Sequence, residues 1–100
     1  MKALLCTRLG GPEDLSIEDV ADPVAGPGEA VVRVTIAALN FADTLIIAGR
    51  HQVKPDLPFS PGGEACGIVE APGEGAEGFS VGDRVIVHST HGTCRERNPP

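Results

Sequence analysis

The stretch from Pro58 to Val87, PFSPGGEACGIVEAPGEGAEGFSVGDRVIV, restricts the chain to few folds. Glu64 to Glu70 reads as a strand carrying small residues, Ala65 and Gly67, where another backbone or a ligand could approach closely. Pro72, Gly73, Gly75 and Gly78 break that strand. Phe79 and Val81 are expected to return to the core, and Gly82-Asp83 turns the chain into a second strand, Arg84 to His88. The unit is a hairpin, so whatever else the chain builds must include a sheet.

The flanking segments extend the same pattern. Lys2 to Arg8 opens on a short apolar run; Leu15, Ile17 and Val20 follow a Gly10-Gly11-Pro12 turn, and the two runs suggest an antiparallel pair. Pro23, Gly26, Pro27 and Gly28 make the next segment a loop. Glu29 to Leu39, with Val31, Val32, Val34 and Ile36, is the strongest strand of the chain. Asn40 ends it, and its side chain can cap a helix over Phe41 to Ala48, with Phe41, Leu45 and Ala48 at helical spacing and Gly49 as the stop. Arg50 to Pro61 is a proline-punctuated loop that could edge a cleft. Thr90 to Arg97 is expected to form a last strand, which Asn98-Pro99-Pro100 cannot continue. Short strands, Gly and Pro turns and one helix imply a mainly β domain, a partly open barrel.

Composition excludes several function classes. The chain has no Trp or Tyr, so it offers only three phenylalanines as stacking platforms, and a net charge of −6 opposes binding to phosphate backbones or anionic membranes. Neither nucleic acid nor membrane is expected as a partner. No apolar run approaches the ~20 residues needed to cross a bilayer, and MKALLCTRLGG lacks the apolar core and cleavage site of a signal peptide, which makes the cytoplasm the default location. Cys6, Cys66 and Cys94 form no C-x-x-C pair, and no His or Asp stands ready to activate a thiol.

The pattern P-G-G-E-x-x-G-I-V-E-x-x-G followed by G-F-x-V-G-D-R-V resembles the catalytic domain of the medium-chain dehydrogenases and reductases, especially the zinc-free NADPH:quinone oxidoreductases. The likeness continues through MKALLCTRLGGPEDLSIEDV, GPGEAVVRVTIAALNFADTLIIAGRHQVKPDLPF and, more weakly, HGTCRER. It implies a GroES-like fold over residues 1–97, with 98–100 a short tail. One hundred residues hold one domain, and these reductases use two, so the chain is expected to be the substrate-side half, without its Rossmann domain. The implied activity is hydride transfer from NADPH to a quinone or other small conjugated carbonyl, in a protein that is a homodimer at full length. As a fragment alone the chain is expected to be inactive. An enoyl-thioester reductase of the same superfamily, or a noncatalytic binding or assembly module, are the alternatives.

Candidate residues follow from this. Gly73-Glu74-Gly75-Ala76-Glu77-Gly78 satisfies G-x-G-x-x-G, yet it leads into a strand rather than a helix and carries two carboxylates where a dianion would sit, so it reads as a turn. In the zinc-dependent relatives a Cys, a His-Glu pair and a further Cys hold the catalytic metal. Here Asn40 and Gly63 match the first Cys and the His, leaving Glu64, and no metal site is expected. His88 and His91 lack a third ligand and read as turn residues. By resemblance Asn40 lies near the nicotinamide end of the cofactor, a role compatible with capping. Leu45 and His51 match positions where many quinone reductases carry tyrosines, which places both in the substrate cleft. His51 could replace one hydroxyl as a donor, or be an exposed loop residue. Glu64 supports the cleft or binds turn amides, and Asp43 favours the positive end of the helix. No residue is singled out as catalytic.

Overall fold

The computed structural model describes residues 1–98. Two sheets and one helix account for the architecture. Strands β1 (Lys2–Cys6) and β2 (Leu15–Asp19) pair antiparallel across a 3₁₀ turn at Pro12–Asp14. Strands β3 (Ala30–Ala38), β4 (Glu64–Pro72), β5 (Arg84–His88) and β6 (Arg97–Asn98) form a second antiparallel sheet in the order β5-β4-β3-β6. Helix α1 (Phe41–Ile47) follows β3, and Gly49, at φ +73°, ends it.

The 94–98 segment joins the two sheets. Leu4 N–H donates to Cys94 O at 2.9 Å and Glu96 N–H to Lys2 O at 3.1 Å, while Val34 N–H donates to Glu96 O at 2.8 Å. One short run therefore hydrogen-bonds β1 on one side and β3 on the other. The Thr90–Arg97 strand expected from sequence is shorter than that: turn geometry persists through Gly92, at φ +104°, and regular pairing begins only at Arg97. Asn98, placed in the tail by the sequence, is buried and pairs with Val32. Pro99 and Pro100 lie outside the described residues.

Alternation along the strands sorts the side chains. Ala37, Ala65 and Val87 stand side by side on the inner face of β3, β4 and β5, over Val32. One residue away, Ile36, Cys66 and Ile86 form the matching outer row, and Ile86 is 85 % exposed. A second core cluster gathers Cys6, Ile46, Ile47 and Phe59, which anchors α1 to β1. The helix thus buries the face of Asp43, Ile46 and Ile47, and of the stripe expected from Phe41, Leu45 and Ala48 the last two are only half-buried while Phe41 is 77 % exposed. Phe79 and Val81 are also exposed rather than returned to the core. They sit in the β4–β5 connection, which Ser80 and Asp83 tie by paired bonds of 2.8 and 3.0 Å and by the Gly82 N–H bond to Val69 O.

At Gly67 the backbone of β3 crowds β4. A Cβ there would lie 2.2 Å from Arg33 O, a backbone atom that cannot swing aside, and the adjacent register shifts between Val34 and Ile36. Gly75, at φ +76°, has no atom within 4 Å of such a Cβ. Gly67→Ala is therefore expected to cost about 2 kcal/mol or more by overpacking, against about 1 kcal/mol of backbone strain for Gly75→Ala. Urea denaturation of the two variants checks the order; an unchanged midpoint for Gly67→Ala would contradict the close approach.

Candidate functional site

Asn40 and Glu64 meet at the point where β3 gives way to α1 and β4 begins. Asn40 stands at the helix N-cap with extended backbone, and its Nδ2 donates to Glu64 Oε2 at 3.3 Å, across 24 residues of sequence. Both side chains are exposed. The amide thus does not cap the helix as the sequence suggests. It reaches across to a charged acceptor, and capping falls to Asp43, three residues on, whose Oδ2 accepts the Asn40 N–H at 2.8 Å.

Asp43 does more than cap. It is buried, and its second oxygen, Oδ1, accepts the Gly62 N–H at 3.1 Å. One carboxylate therefore fixes the backbone just before the helix and the backbone two residues before Glu64, so both partners of the Asn40–Glu64 bond are held from beneath. Sequence reasoning placed Asp43 at the helix terminus and missed the link to Gly62. The Asp at the third helical position is a capping signal, but nothing local reports a donor 19 residues away.

The other expected cleft residues are not brought into this bond. Leu45 is half-buried further along α1, and its carbonyl accepts the Arg50 N–H at 2.8 Å. His51 is half-buried in the following loop, where its Nδ1 accepts the Val53 N–H at 3.0 Å, so one ring nitrogen is already committed locally. The glycines of the G-x-G-x-x-G match lie in the β4–β5 connection, and the next element is a strand, not a helix. Gly63 stands beside Glu64, and its carbonyl accepts the Ser89 N–H at 2.8 Å. Among the described residues no three His, Cys, Asp or Glu side chains converge. Nor is any helix there long and apolar enough to cross a membrane.

Two thiols are shaped by their surroundings. Burial pushes Cys94 above its ordinary value, and the Asp43 charge adds to the effect. Burial likewise raises Cys6, partly offset by its bond to Arg8 O. In both, burial disfavours the thiolate, the reactive form.

A partly open barrel of short antiparallel strands with, among the described residues, one short α-helix defines a GroES-like domain of the alcohol dehydrogenase type. The alcohol dehydrogenase GroES-like domain family matches residues 26–99. Quinone oxidoreductase of Sus scrofa is 41% identical over 90% of this chain. A probable oxidoreductase from Mycobacterium abscessus superposes with a TM-score of 0.92 at 41% identity, covering 100% of this chain and 32% of that one. Escherichia coli quinone oxidoreductase complexed with NADPH gives 0.91 at 30% identity, covering 99% and 30%. The chain belongs to the quinone oxidoreductase family of the medium-chain dehydrogenase/reductase superfamily. It spans 28% of the length of the Sus scrofa relative.

Removing the buried carboxylate in Asp43→Ala leaves the buried Gly62 amide and the part-buried Asn40 amide without an acceptor, and is expected to lower stability by about 1 to 3 kcal/mol. Thr44→Ala, at the exposed neighbour, should change it by less than about 0.5 kcal/mol; paired urea titrations compare them. For the thiols, a pKa raised in the folded state means stability is full below the ordinary value and is lost as pH rises through the folded value. At pH 8, Cys6 and Cys94 should alkylate with iodoacetamide at least tenfold more slowly in the folded protein than in urea, as read by peptide mass spectrometry. Equal rates would show the two sites to be open.

Proposed function

We propose that residues 1–97, continued by Asn98 in the last strand, form the substrate-side domain of an NADPH-dependent reductase. It acts on a quinone or another small conjugated carbonyl and works without zinc. The observation that carries this reading is the Asn40–Glu64 hydrogen bond at the mouth of the barrel. An amide, a glycine and one carboxylate suit orientation of a polar ring substituent, whereas a tetrahedral zinc site calls for thiolate and imidazole ligands. The quinone oxidoreductase relatives and the NADPH complex of the Escherichia coli structure support the same class.

In this reading NADPH supplies the hydride, and the chain's residues orient the acceptor and exclude water. Asn40 presents an amide to the nicotinamide end while Glu64 holds that amide in place. Leu45 and His51 lie on the substrate side, with the unengaged ring nitrogen of His51 available as a donor. In this reading the pyrophosphate is held elsewhere: Glu74 and Glu77 occupy the exposed β4–β5 connection, and the element that follows the glycines is strand β5 rather than a helix. The whole protein is read as a cytoplasmic homodimer with no nucleic-acid or membrane partner.

Two measurements test this. Calorimetric titration of the 100-residue chain with NADPH should give binding no tighter than about millimolar, with no quinone reduction. In the protein carrying its cofactor-binding domain, Asn40→Ala should lower kcat for NADPH-dependent quinone reduction by roughly tenfold to a hundredfold through lost orientation. Micromolar NADPH binding by the chain alone, or full turnover by Asn40→Ala, would overturn the assignment.

A further inference from the structure

We propose that a second site, on residues the reductase reading does not use, accepts a small oxyanion, the carboxylate or phosphate group of a small molecule. A cavity of about 630 Å³ opens between the 54–60 loop and the 89–95 segment, within the size range of small-molecule pockets. Arg95 lines it, and the guanidinium is held from one edge: Nε and Nη2 both donate to Ser60 Oγ, at 3.1 and 3.0 Å. Ser60 is 1 % exposed, so the fork is fixed by a group that cannot itself move into solvent.

What that edge leaves over is the argument. Nη1 and the second proton of Nη2 have no hydrogen-bond partner among the described residues, and no carboxylate pairs with Arg95 there. Arg97, the other half-buried arginine, has its fork on Glu70 at 2.7 Å. A half-buried guanidinium loses hydration, and oxyanion oxygens match its planar donors better than water does. Lys54 also lines the cavity, and Asp56 is the single acid that does, so cations prevail here although the chain carries −6. His91 is fixed edge-on against Phe59, centroids 5.9 Å apart, which gives the wall a rigid side.

The test uses the purified protein at low, matched ionic strength, with inorganic phosphate and succinate as probes and chloride as the control. Thermal unfolding and calorimetry should show saturable binding of at least one probe, with a melting temperature that rises as sites fill. Phosphate alone saturating assigns a phosphate group; succinate alone assigns a carboxylate. Arg95→Gln should weaken the effective probe at least tenfold. Lys54→Gln, at an exposed wall residue, should weaken it several-fold and serves where Arg95→Gln does not fold. No saturable effect beyond chloride, or wild-type affinity in the variant that folds, overturns the site.

Discussion

The carboxylate of Asp43 is the interaction on which the rest of the mouth depends. A buried acid with both oxygens engaged by backbone amides is stabilised by charge-assisted bonds that a neutral side chain would make more weakly. Because its two donors belong to distant segments, the bond fixes distance as well as energy: the end of β3 and the approach to β4 cannot separate without exposing two amides. Asn40 and Glu64 then need only a single, exposed bond of their own to face one another. An exposed pair of this kind contributes little stability. Its geometry comes from the layer below.

Much of the fold was legible because the sequence signals were local. The hairpin of β4 and β5 is set by alternation and by Gly82-Asp83, and β3 is recognisable from its run of Val and Ile. Gly67 was also readable as a place of close approach, and the approaching backbone is Arg33. The misplaced side chains share one cause. Phe41, Phe79 and Val81 are apolar, but apolar composition says what can be buried, not what is, and burial depends on which face the turn or helix presents to the sheet. The helix settles on Ile46 and Ile47 because Cys6 and Phe59 wait on that side.

The site was less legible than the fold. Asn40 was found as an N-cap from its position, yet its amide bonds to a partner 24 residues away, and a cap motif cannot reveal a competing charged acceptor. Leu45 and His51 came from resemblance alone, and the hydrogen bonds around them are local ones. The Arg95–Ser60 contact gave no sequence signal: 35 residues separate the two, and neither the stretch that opens at Pro58 nor HGTCRER points from one to the other.

The run at residues 94–98, which lies between β1 and β3, also sets an order of events. Strand β1 leaves the ribosome well before its partner segment, which follows it by most of the described chain. At roughly 5 to 20 residues per second, β1 waits on the order of 5 to 20 seconds for that partner during synthesis. Until then the edge of β1 away from β2 stays unpaired along Lys2, Ala3 and Leu4. Long-range pairing of this kind slows folding through the entropy of closing a large loop. The nascent domain thus holds β1 without this partner for most of its synthesis, and a chaperone that shields the edge of that strand would act during that interval.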